Sequence, residues 1–280
     1  MEQRINFREY LASFKVELTT LYLVDVGWKG SIQDNIYYIL DGLTAVQGYF
    51  IGSYHATERS EKNRKKGLLF DNYQALSPFY NVYNNNRSLY EMLLGASHGS
   101  ADSYLTSGQY SRGSGPDHIS VYSRIRGGNE DLCVLVLDMP EERKLYESAI
   151  RPLQESMLRQ FSCITRDFLL AECTVPDAER FARLHARMVF APSQEEIQFF
   201  AKLYHLENFG IFEYTNFQTD MNPKLLQRLR NLKNVLRDPA VLETGIWPPI
   251  ILQRLGLGFL QWFDGRKRFS REFQGGKKAC

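Results

Sequence analysis

The sequence predicts an α/β fold, with a Rossmann-like parallel sheet in the N-terminal half followed by a mostly helical C-terminal part. Three observations predict it. An apolar run ends in an acid at Asp25 and passes through Gly27 and Gly30 into an amphipathic stretch. A run rich in β-branched and aromatic residues, Val46 to Tyr54, follows within the ~30 residues of a βαβ unit, which is parallel and right-handed by default. From Pro140 onward the apolar spacing turns helical. Residues 1–138 are therefore expected to form the α/β domain, and residues 139–280 a helical domain packed on it.

Residues 4–15 are amphipathic at helical spacing, with Ile5, Phe7, Tyr10, Leu11 and Phe14 on the expected buried side. Residues 20–26 are the first strand. Ser31 is the expected N-cap of the next helix, and Asp34 stands three places on, in the position of a capping-box acid. Ile32, Ile36, Ile39, Leu40 and Leu43 form that helix's apolar stripe. A basic loop, residues 55–66, leads to a third apolar segment at 67–73. Residues 87–95 read as a helix, 96–117 as a long Gly/Ser-rich loop, 118–126 as an exposed strand and 131–137 as an apolar run. Helices are expected over 141–171, 176–190, 193–204 and 223–236, with a capping box at Ser193 and Glu196 just after Pro192. Residues 250–263 are apolar but short, and read as a packed helix or strand pair.

Lys plus Arg is 34 and Asp plus Glu is 32, a net charge of +2 that gives no reason to expect a nucleic-acid partner. Cys133, Cys163, Cys173 and Cys280 form no CxxC pair, so neither a zinc site nor a disulfide framework is expected; no metal ligands are assigned. The charged N-terminus has no apolar core of a signal peptide, and no run approaches the ~20 apolar residues of a spanning helix. A cytoplasmic protein with reduced thiols is the expectation. Basic runs at 59–66, 266–268 and 277–278 read as solvated segments, which also allow peripheral contact with anionic headgroups or phosphorylated substrates.

Asp25 is the leading candidate for chemistry, because a carboxylate at the end of an apolar strand calls for a ligand, a divalent cation such as Mg2+, or loop amides. Gly27, Trp28, Lys29, Gly30 and Ser31 sit where a helix begins, and free amides with the helix dipole favour an anion there. The loop is neither GxxxxGK[ST] nor GxGxxG. It also lacks the second aspartate, two places after the first, that haloacid-dehalogenase chemistry needs: Gly27 stands there. His98, Gly99 and Ser100 are the second candidate set. A lone loop histidine bonded to backbone is the bland alternative, and no GxSxG elbow surrounds Ser100.

The stretches LYLVDVGWKGSIQDNI, QGYFIGSY, YEMLLGASHGSADSY and APSQEEIQFFAKLYHLENFG lie between residues 21 and 210, so the region they mark takes in most of the chain. They resemble the region downstream of the hydrolase domain in bacterial haloacid-dehalogenase-superfamily proteins of surface-polysaccharide and O-antigen biosynthesis. The motifs that carry it are DVGWKGS with Gln33, and His98-Gly99-Ser100. More distantly, the first motif is similar to the diphosphate-sugar loop of phosphoribosyltransferases, with one acid before the loop instead of two, and Trp28-Lys29 where threonines stand.

The resemblance implies a sugar-transfer domain that takes an activated phosphosugar donor and a glycan acceptor. Asp25 would bind donor hydroxyls and His98 would act as acid/base. Gly27, Trp28, Lys29, Gly30, Ser31, Gln33, Gly99 and Ser100 would bind substrate. The alternative is a non-catalytic binding or scaffold module that partners a separate hydrolase or glycosyltransferase.

Overall fold

The computed structural model describes residues 2–14, 19–54, 59–106, 109, 119–125, 131–171, 178–208, 212–216, 223–242 and 247–274. In chain order the elements are α1 (Glu2–Ala12), β1 (Thr20–Asp25), α2 (Ser31–Ile39), β2 (Ala45–Ser53), β3 (Asn63–Asp71), α3 (Tyr80–Asn84), α4 (Arg87–Leu94), β4 (Ala101–Thr106), β5 (Ile119–Ile125) and β6 (Leu132–Leu137). Then come α5 (Pro140–Leu145), a π turn that joins it to α6 (Arg151–Ala171), α7 (Ala178–Phe190), α8 (Gln194–Phe200), β7 (Tyr204–Asn208), β8 (Phe212–Asn216), α9 (Leu225–Arg237), α10 (Pro248–Arg254) and α11 (Gln261–Gln274). The fold is α/β, with a parallel sheet in the N-terminal half and a mostly helical C-terminal part. No described helix is long and apolar enough to cross a membrane. Cys173, Cys280 and the run at 277–278 lie outside the described residues.

The chain divides into two compact units. The first unit holds residues 1–77, 94–152 and 206–214; the second holds 78–93, 153–205 and 215–280. In the first unit, β1, β2 and β3 form a parallel sheet in that order, with Thr20 beside Ala45 and Val46 beside Asn63. The third strand starts earlier than its apolar residues suggest. Asn63 and Lys65 turn inward and find polar partners, while Arg64 and Lys66 point the other way, so half of the basic run is strand rather than solvated loop. A bulge follows between Gly67 and Phe70. A Cβ on Gly67 would stand 1.9 Å from the Phe70 carbonyl oxygen. Gly67→Ala is expected to destabilise the chain by about 3 kcal/mol, because backbone rather than a side chain has to give way; urea unfolding measures it.

A second sheet, in the order β4-β6-β5, is antiparallel. Its central strand β6 is buried at every position. β4 falls inside the expected Gly/Ser-rich loop. Pairing with β6 supplies the ladder that local composition does not favour. Helix α1 packs on β4: the Asn6 amide donates to the Tyr104 carbonyl at 2.6 Å, and the Phe7 and Tyr10 rings each lie 5.2 Å from Tyr104. Asn6, not Ile5 or Phe14, is therefore the buried residue of α1; those two are exposed.

In the second unit, α3 and α11 pack on α7. The Trp247 indole is fully buried and donates to the Val189 carbonyl at 2.8 Å. Ser193 and Glu196 form the expected capping box on α8. The run at 266–268 lies inside α11, where Arg268 is buried and pairs with Asp264 at 2.8 Å.

Candidate functional site

The β1–α2 loop sits at the C-terminal end of parallel strands, the place where open α/β sheets bind ligands. Gly30, not Ser31, caps the helix. It adopts a left-handed conformation at φ 68°, and no side chain caps α2. A Cβ there would also stand 2.9 Å from the Lys65 Cε, so glycine is needed for both conformation and space. Ser31 is thus the first helical residue, with its side chain exposed. Among the described residues, the first-turn amides of Ser31, Ile32 and Gln33 have no hydrogen-bond acceptor. Lys29 is exposed beside them.

Asp25 is half-buried, and its Oδ1 accepts from the Gly27 amide at 2.7 Å. One oxygen of the acid therefore shapes its own loop. Trp28 is a core residue: it is 5% exposed and stacks on Phe70 at 4.8 Å, 21° from coplanar. Gln33 is 1% exposed. Its Nε2 donates to Asn63 Oδ1 at 2.7 Å and to the Arg64 carbonyl at 2.8 Å.

Gln33 belongs to a polar network that pins the first turn of α2 to β3. Asn63 Nδ2 donates to Asp34 Oδ1 at 2.7 Å, and Lys65 Nζ donates to the same oxygen at 2.6 Å. The network sets the helix face: Ile32, expected on the buried stripe, is exposed, and Leu43, also expected there, lies beyond the end of α2 and is exposed. It also takes up the Asp34 charge, which would otherwise compete with an anion for the start of α2. Asp34 is consequently an anchor to Lys65 and not a capping-box acid.

His98, Gly99 and Ser100 lie just before β4 of the antiparallel sheet. The Ser100 carbonyl accepts from the Leu137 amide at 3.0 Å, and Gly99 packs against the Leu137 backbone. His98 is exposed; its Nδ1 lies 2.9 Å from the Gly99 carbonyl oxygen, and its ring lies 4.1 Å from Tyr122. Among the described residues, no hydrogen bond or ring contact joins His98 to the β1–α2 loop. The loop offers one carboxylate, Asp25, with one oxygen bonded to an amide, and no group of three His, Cys, Asp or Glu lies together among the described residues.

Two features escape the sequence. The first is His185 on α7, held between Tyr83 and Tyr90 with ring centroids 5.4 Å away on each side. The Tyr90 hydroxyl lies 3.0 Å from Nε2. Burial lowers the His185 pKa to about 4 and raises that of Tyr90. Nothing local marks a histidine in mid-helix for such a place. The second is a basic cavity on β2 and β3, of about 470 Å3. The basic run was legible, but its folding into a strand was not.

No protein-family model matches the chain, and no curated protein is similar to it in sequence.

Proposed function

We propose that the chain holds an activated phosphosugar at the β1–α2 loop, as the donor site of a sugar-transfer domain in surface-polysaccharide synthesis. The observation that carries this reading is the start of α2, which has no side-chain cap, at the C-terminal end of parallel strands, with Lys29 and Ser31 exposed beside it. The amides of Ser31 and Ile32 would take phosphate oxygens, and Lys29 would supply the cation. The Asp25 oxygen not bonded to Gly27 would accept from a donor hydroxyl. Positioning and stabilisation of the leaving phosphate would supply the rate. Trp28 contributes by packing the loop's base, and Gln33 by fixing the helix.

Lys29→Gln is expected to weaken binding of a sugar 1-phosphate or sugar nucleotide about tenfold, which is about 1.4 kcal/mol for one charged contact, by calorimetric titration. Because Lys29 is exposed, the fold should survive the change. Equal affinity in parent and variant would sink the reading.

A second reading, a non-catalytic docking module, is favoured by α6. Met157, Leu158, Phe161 and Ile164 recur at helical spacing on this helix and are exposed. Asp25 and His98 each bond backbone of their own loops, as a module without chemistry would have them. This reading expects no phosphosugar affinity in parent or variant, so the same titration separates the two.

A further inference from the structure

We propose that the cavity on the outer face of β2 and β3 is a second phosphate-ester site, built by Arg64, Lys66 and Arg59 and shaped for a phosphorylated sugar. It goes beyond the donor reading and does not depend on it.

The argument begins with register. Gln47 pairs with Arg64, and Tyr49 pairs with Lys66. Residues two apart on a strand share a face, so these four side chains point away from the α2 network. Two cations thus stand side by side with two neutral hydrogen-bonding neighbours. Arg64 Nε donates to the Glu61 carbonyl at 3.1 Å, and neither Arg64 nor Lys66 pairs with a carboxylate among the described residues.

The third wall is Arg59, and it is held rigidly. Its Nη2 donates to Asp71 Oδ1 and to Ser53 Oγ, each at 2.7 Å, and its Nη1 donates to Asp71 Oδ2 at 3.2 Å. Its guanidinium lies 4.2 Å from the Tyr73 ring centroid. The Nε donor is buried with no acceptor among the described residues.

Asp71 is the acid that lines the cavity, and its charge is already met. Burial opposes that charge, but Arg59 and the amides of Gly67 and Tyr73 outweigh it and hold the carboxyl below its ordinary value. The cavity's remaining charge is positive.

Volume and charge then choose the ligand class. About 470 Å3 lies in the range of small-molecule sites. Two unpaired cations match a dianionic phosphomonoester, whereas a carboxylate would neutralise only one. Guanidinium forks suit phosphate oxygens. Tyr49 and Gln47 add a ring and an amide for a sugar.

The test titrates the full chain with glucose 1-phosphate, inorganic phosphate and glucuronate, and floats it with phosphatidylcholine vesicles with and without phosphatidic acid. A protection experiment with an amine-acetylating reagent, read by mass spectrometry, reports on Lys66 and Lys29 separately. Glucose 1-phosphate should bind at least tenfold tighter than glucuronate and shield Lys66. The double variant Arg64→Ser, Lys66→Ser should lose that shielding while keeping its circular dichroism; both side chains are exposed. Lys29→Gln should leave the shielding of Lys66 intact, which separates this site from the donor loop. Unchanged acetylation of Lys66 at saturating ester would overturn the proposal. So would equal affinity for glucuronate, or binding to phosphatidic acid vesicles with none to the soluble ester.

Discussion

Lys65→Ala is expected to cost about 3 kcal/mol or more of unfolding free energy, measured in urea. The Lys65 side chain is 0% exposed and bonds Asp34 Oδ1 at 2.6 Å. Truncation removes the cation and leaves Asp34, itself only 20% exposed on its side chain, with the Asn63 amide as its remaining partner in the network. An uncompensated buried carboxylate is the expensive product, not the lost pair. Lys65→Met with Asp34→Leu should therefore recover most of the loss, since an apolar pair of similar volume carries no stranded charge. The truncation should also loosen the start of α2, because the Lys65 stem lies against Gly30. A loss below about 1 kcal/mol would mean that the pair does not hold the helix to the sheet.

The second large effect is acid sensitivity set by His185. Its pKa is about 4 in the folded chain against an ordinary value of 6.5. The unfolded chain therefore binds the proton first. Stability is full above pH 6.5, falls as the pH drops, and levels off near pH 4. The total is about 3 kcal/mol, at about 1.4 kcal/mol per pH unit. His185→Phe should flatten this window. It keeps a ring between Tyr83 and Tyr90, and its cost at neutral pH is the hydrogen bond to the Tyr90 hydroxyl. Unfolding curves from pH 4 to 7 with the same slope in both proteins would remove His185 as the cause.

The βαβ unit was legible because its strands are apolar and its glycines punctuate them. The cap of α8 was legible because a capping box is local chemistry, four residues long. Residues whose burial depends on a distant partner were not. Gln33 and Lys65 look like surface residues until Asn63 and Asp34 are placed beside them. Ser31 looked like a cap because serine usually is one; the left-handed Gly30, required by the Lys65 stem, took that position. Trp28, expected on a sugar, found Phe70 through a strand pairing that no local pattern specifies. β4 was hidden for the same reason, since its order comes from β6. At the candidate site, the position of the loop was readable and the duties of its residues were not.

The interleaving of the two units sets an order of events during synthesis. Helices α3 and α4 emerge early, carrying the buried apolar residues Val82, Tyr83, Leu89 and Met92. Their partners come much later: His185 joins Tyr90 across 95 positions, and Phe273 stacks on Phe79 near the end of the chain. At 5–20 residues per second the two waits are on the order of 5–20 s and 10–40 s. Until α7 emerges the nascent chain lacks the helix on which α3 packs, and Phe79 lacks its stacking ring until α11 follows. A chain cut before α11 would leave the Phe79 ring without Phe273.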